Sequence, residues 1–330
     1  NVWNLERLQL GKHRIDESTS LISISFMEVK EIQNREILQA YMKYELGITG
    51  QAVSTIVRRF VCIRNFIELL EQEKILAIHA TVVEVKKYAD GLRERGIQAK
   101  GFNERIFGIG HFYKFMEVKQ YITRMPFRIE YFQQKEVVVH HDRSVEETVY
   151  MEILKKLYLF PERLRCMFLH LWCLGLRASE VCTLKGNAYY QQGEDYWIQV
   201  YQVKMKNYKR IPIPQALYRI MNVYLKKHDI QPEEFIFKNS RGGACLYGTF
   251  RTQMIEACRE NKIANGEYLF QSHDYRHTVA TMFYDSHVSL QSIRDYLGHT
   301  YEEMTRQYID YMSQRIAKAN DEFFEMQGSS

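Results

Sequence analysis

Arg177 stands in LGLRASEVCTLK, two residues after Gly175, with Glu180 a turn further on. In SHDYRHTVATMFYD, His273 and Arg276 are three apart, so a helix there would turn both toward one site. YLGHTYEEMTRQYIDY then places His299 after a glycine and Tyr308 nine residues beyond it. Two arginines, two histidines and a tyrosine form a set suited to phosphodiesters. Guanidinium forks grip nonbridging oxygens, imidazoles hydrogen-bond or move protons, and a phenol can attack phosphorus. Each residue alone has an ordinary reading: Arg177 as a helix cap, His299 in a turn, Tyr308 as one of 23 tyrosines with Tyr311 close by. A metal reading of His273 and His277 fails for want of the H-E-x-x-H glutamate and a third ligand. His140 and His141 have no third ligand at a useful spacing and read as linker. Neither a metal nor another cofactor is expected.

The elements that must position these residues are mostly helical. Gly175 is placed to end the helix ERLRCMFLHLWCL, and Ser179 is suited to cap the next one. EDYWIQVYQV alternates and is rich in β-formers, and RIPIP after KMKNYK reads as its returning hairpin partner. Helices resume at Gln215 and dominate to the end. Ser144 with Glu147 has the form of a capping box opening this part of the chain. Upstream, apolar residues at spacings of three and four run from Ile32 to Leu70, Thr81 with Glu84 forms another capping box, and Gly96 is placed to stop that helix. A fourth helix, NERIFGIGHFYKFMEVKQYI, is expected to run until Pro126. The expected organisation is therefore a lead-in arm over 1–30, a helical bundle over 31–126, a linker over 127–143, and an α+β domain with a small antiparallel sheet and a tail helix over 144–330.

At 330 residues the chain is long enough for two cores. Its six cysteines include no C-x-x-C pair and do not read as a disulfide scaffold. No apolar run approaches the ~20 residues of a membrane helix, and NVWNLERLQLGKHRIDE lacks a signal peptide's apolar core, so a soluble, cytoplasmic protein is expected. The net charge of +5 permits a polyanionic partner without arguing for one. Arg58, Arg59, Arg64, Lys86, Lys87, Arg93 and Arg95 cluster on two predicted helices, interleaved with glutamates.

Taken together, L-G-x-R-x-S-E, a strand-loop lysine, H-x-x-R, L-G-H and the final tyrosine, in that order from about Ser144 to Tyr311, resemble the tyrosine recombinases: phage integrases, Xer-type resolvases and conjugative-transposon integrases. The resemblance implies a helical DNA-binding domain and a catalytic domain forming a clamp on duplex DNA, and strand exchange through a 3′-phosphotyrosyl intermediate and a Holliday junction. It implies Tyr308 as nucleophile, Arg177 and Arg276 as stabilisers of phosphoryl charge, His273 as a proton-transfer group and His299 as a phosphate ligand. Glu180 would support Arg177. The general acid would be a hairpin lysine, for which VKMKNYKRIPIP offers Lys204, Lys206 and Lys209. Lys204 fits the family spacing, and strand alternation would put Lys206 on the same face. Arg58, Arg59, Lys86, Lys87 and Lys206 are the expected phosphate contacts. The family implies specific recombination sites in double-stranded DNA, a homotetramer on two sites, an accessory directionality factor, no membrane, and a bacterial, nucleoid-associated setting. With residues 1–30 alone ahead of the bundle in this sequence, the arm-binding domain of some phage integrases is not expected in it. IAKANDEFFEM after Tyr311 is a candidate for docking on a neighbouring protomer. Readings of a different kind are a type IB topoisomerase and a catalytically inactive DNA-binding accessory protein.

Overall fold

The computed structural model describes residues 1–8, 10–19, 23–137, 143–202 and 205–297. The chain divides into two compact units, 1–15 with 21–138 and 16–20 with 139–330.

The first unit is built on α1 (Ile32–Ile48), α2 (Val53–Gln72), α3 (Val82–Glu94) and α4 (Ala99–Val118). The apolar stripe read from sequence supplies its core, with Leu38, Tyr41, Ile56, Ile63, Phe66 and Phe112 all buried. Thr81 and Glu84 close the expected capping box at the start of α3, and Gly96, at φ +68°, follows its last turn. α4 ends earlier than Pro126: the turn tightens at Lys119, and Gln120 takes φ +60°. Residues 1–30 carry a two-stranded antiparallel ribbon, β1 (Val2–Asn4) with β2 (Ser23–Ser25), whose neighbours Leu5, Phe26 and Val29 are buried in the bundle core. Arg14 caps the end of α1, donating to the carbonyls of Leu46 at 2.7 Å and Glu45 at 3.1 Å, orphan acceptors at any helix C-terminus.

The second unit opens with α5 (Glu147–Lys156) and α6 (Glu162–Leu174), followed by the one-turn α7 (Ala178–Cys182). Neither serine caps as the sequence suggested. Ser144 lies outside α5, whose cap position is Glu146, with its hydroxyl 3.3 Å from that of Thr281. Ser179 lies inside α7, where its carbonyl accepts from the Thr183 hydroxyl, and Arg177 occupies the cap position. A three-stranded antiparallel sheet follows, β3 (Tyr189–Gln192), β4 (Asp195–Gln202) and β5 (Asn207–Pro212), in that order. The β4–β5 hairpin is the expected one; β3 was not anticipated. Helices α8 (Gln215–Lys227), α9 (Tyr247–Glu260), α10 (Ser272–Asp285) and α11 (Leu290–Leu297) follow among the described residues. One core joins α6, the inner sheet face and α9 through Phe168, Leu171, Ile198, Ile211 and Phe250. All six cysteines are free thiols. Among the described residues, no helix is long and apolar enough to cross a membrane.

Candidate active site

The α6–α7 junction is the site's foundation. Gly175 closes α6 in the left-handed region at φ +59°, and a Cβ there would stand 3.1 Å from Leu297 and 3.2 Å from Val279. Only glycine meets both demands. The sharp turn delivers Arg177 as the cap of α7, its backbone N–H donating to Glu180 Oε2 at 2.8 Å and its Nη1 to Oε1 at 3.1 Å. Arg177 keeps about a fifth of its side chain exposed, whereas Glu180 is only 3% exposed.

Arg276, on α10, is almost wholly buried. Its Nη1 donates to the Gly175 carbonyl at 2.8 Å and its Nη2 to the carbonyl of Leu297, so one guanidinium ties the α6 end, α10 and the α11 end together. His273 is exposed in the first turn of the same helix, three residues away, with its ring edge-on to His277 at 4.7 Å between centroids. Among the described residues no group of His, Cys, Asp and Glu could hold a metal ion.

Two further side chains reach Glu180 from the hairpin. Gln202 donates from Nε2 to Oε1 at 3.1 Å, and Lys209 brings its ammonium to 3.5 Å from Oε2. Burial alone would raise the Glu180 pKa, but Lys209, Arg276 and Arg177 outweigh it and hold the carboxyl below its ordinary value. Burial is also the main reason that Lys209 is lowered to about 8, against the opposing pull of Glu180. Sequence reasoning missed Gln202 and passed over Lys209 for Lys204. Strand alternation carried the signal: Lys209 pairs with Val200 and Ile211 with Ile198, so Lys209 shares the core-facing side of the sheet.

The structure brings Arg177, Glu180 and Arg276 together, with His273 on the Arg276 helix. Lys206 is exposed in the hairpin turn at φ +53°, outside the strands, so alternation does not place it. Lys204, His299, Tyr308 and the tail after Tyr311 lie outside the described residues, as do His140 and His141. In the first unit, Arg58 is well exposed and 3.7 Å from Glu104, Lys86 is 2.7 Å from Asp90, and Lys87 pairs with Glu73. Arg59 points inward instead, its Nη1 3.5 Å from buried Glu45.

A helical unit followed by an α+β unit, with two arginines fixed at a glycine junction, is the architecture of a tyrosine recombinase. The chain belongs to the phage integrase family, whose sequence pattern matches residues 143–315. It is 24% identical to transposase B from transposon Tn554 of Staphylococcus aureus (strain Mu50) over 98% of this chain and 53% of that protein, so it spans about half the length of that relative. It is 23% identical to the tyrosine recombinase XerC of Bacillus licheniformis over 87% of this chain and 92% of that one. Among solved structures, the fold is similar to the XerH recombinase on its palindromic difH substrate, with a TM-score of 0.66 and 15% identity over 90% of each chain. It is also similar to a lambda integrase fragment dimer on a COC′ core site, with a TM-score of 0.61 and 18% identity over 83% of this chain and 94% of that one.

Proposed function

We propose that this chain is a site-specific DNA recombinase that cuts and rejoins duplex DNA by transesterification. The observation that carries this reading is the pair of guanidiniums fixed by one turn, Arg177 on Glu180 and Arg276 on the Gly175 carbonyl. Charge developing on a pentacoordinate phosphorus is stabilised by donors that need no reorganisation during the reaction.

In this mechanism the Tyr308 phenol oxygen attacks the scissile phosphorus while the bond to the 5′-oxygen breaks. The products are a 3′-phosphotyrosyl enzyme and a free 5′-hydroxyl. His273 assists departure of the phenolic proton, Lys204 supplies a proton to the leaving 5′-oxygen, and His299 hydrogen-bonds the phosphate. A 5′-hydroxyl from the partner duplex then reverses the step and releases the tyrosine. One ester is exchanged for another, so no nucleotide hydrolysis is needed to reseal the strand.

The likeness to XerH on difH and to lambda integrase on a core site and as a tetramer on a Holliday junction supports double-stranded DNA as the partner and a homotetramer on two sites as the assembly. The Staphylococcus and Bacillus relatives support a bacterial setting, where the protein would act on DNA in the cytoplasm.

The test is covalent capture on nicked duplexes spanning the joined ends of the genetic element that encodes the chain. Wild-type protein and Tyr311→Phe should form a denaturation-resistant adduct, and Tyr308→Phe should bind without forming one. An adduct that survives in Tyr308→Phe and vanishes in Tyr311→Phe would transfer the nucleophile's role to Tyr311.

A further inference from the structure

Lys209, in the second unit, is a buried charge with no task in the proposed mechanism. Its side chain is 9% exposed on the inner face of β5, and its ammonium makes no hydrogen bond shorter than the 3.5 Å approach to Glu180 Oε2 among the described residues. Burying a lysine this way is expensive, and a neutral side chain of similar length would fill the space without that cost. The charged groups bearing on it are Glu180 and Arg177 from α7 and Arg276 from α10. Three cations therefore surround one carboxylate, whose Oε1 is already shared between Arg177 and Gln202.

That surplus has a use once a phosphate arrives. A phosphodiester approaching Arg177 competes with Glu180 for the same guanidinium, and a carboxylate losing its partner at 3% exposure would pull the arginine back. We propose that Lys209 is a positioning residue: it holds Glu180 charged and in place beneath Arg177, so that the guanidinium can turn a free edge to the scissile phosphate. The proposal rests on the recombinase reading and deepens it. Lys209 acts through Glu180 and touches neither DNA nor the reacting atoms.

A structural lysine and a positioning lysine differ in what their loss does. The folded protein binds the Lys209 proton less tightly than an unfolded chain does, so below about pH 8 its charge costs stability, and Glu180 keeps Arg177 and Gln202 as partners when Lys209 is removed. Lys209→Met should therefore melt within a few degrees of wild type. It should bind the nicked duplex about as tightly, yet cleave in a single turnover about 10²-fold more slowly, the cost of misplacing a catalytic group by about 1 Å. Lys209→Arg should restore most of the rate. It should also keep that rate as pH rises past about 8, where wild type declines as Lys209 discharges, because a guanidinium stays charged. The DNA-free readout is the carbon-13 carboxyl resonance of Glu180, which should titrate at higher pH in Lys209→Met than in wild type. Cleavage by Lys209→Met within about threefold of wild type, or an unmoved Glu180 titration, would overturn the proposal. Absence of any adduct with wild-type protein would instead count against the recombinase reading, and the Glu180 titration would still decide the role of Lys209.

Discussion

Arg276 Nη1 donates to the carbonyl of Gly175 at 2.8 Å, across 101 residues of chain. The bond anchors a buried guanidinium on a helix-ending turn, because the glycine that lets α7 start at once also presents its carbonyl to Arg276.

Gly175→Ala should destabilise the protein by about 1–2 kcal/mol from the left-handed backbone alone. Further loss should come from the new methyl pressing on Leu297 and Val279. In a unit of this size each kcal/mol lowers the melting temperature by roughly 2–4 °C, which calorimetry resolves. Leu297 also accepts from Arg276, so DNA cleavage should fall by more than the melting shift alone explains. A variant with wild-type stability would remove the packing argument.

Glu180→Gln keeps the shape and deletes the charge among three cations. Breaking a buried ion pair from one side typically costs about 3–5 kcal/mol. The sign with pH follows from the lowered Glu180 pKa: its contribution is fully present above the ordinary carboxylate value and disappears as pH falls through the folded value. Urea midpoints of wild type and Glu180→Gln should therefore differ most at neutral pH and converge in acid. A gap that widens on acidification would contradict the assignment.

Much of this site was legible because it depends on local rules. Gly175 ends α6 as its position suggests, α8 begins at Gln215, and the three-residue spacing of His273 and Arg276 falls on a real helix. Ser179 misled because α7 starts two residues earlier than a serine cap requires and fills the cap with Arg177, whose backbone N–H is satisfied by Glu180, and Ser144 misled because α5 starts later, with Glu146 at its cap. The face of Lys206 could not be read from strand alternation, because it lies in the hairpin turn at φ +53°, outside β4 and β5. Arg59 reads as surface from composition, but its partner Glu45 lies on a different helix, which only tertiary packing reveals.

The basic residues of the first unit should separate by exposure. Alanine at Arg58, Lys86 or Lys87, all largely exposed, should weaken binding on every DNA sequence and reduce the slope of log affinity against log salt by about one unit each. Arg59→Ala should leave that slope unchanged and lower stability instead, because Glu45 would be buried without its Arg59 partner. Unchanged slopes at Arg58, Lys86 and Lys87 would return those residues to solvent. A reduced slope at Arg59 would show that it turns outward to DNA.

The general acid can be tested with one atom of the substrate. A departing 5′-oxygen is a poor leaving group unless it gains a proton as its bond to phosphorus breaks, and proton donation at that atom is worth 10²–10⁴-fold, about 3–5 kcal/mol of barrier. Sulfur in its place leaves as a thiolate and needs no proton. Lys204→Ala should cleave ordinary DNA very slowly and the sulfur-bridged substrate at nearly the wild-type rate. Lys209→Met should be slow on both, because misaiming Arg177 weakens charge stabilisation whichever atom departs. Lys206, exposed in the turn, should affect binding more than rate. Sulfur rescue of Lys206→Ala but not of Lys204→Ala would move the acid two residues along the hairpin. Rescue of Lys209→Met would show that the buried lysine delivers the proton itself, and rescue of none would place the proton donor outside this hairpin.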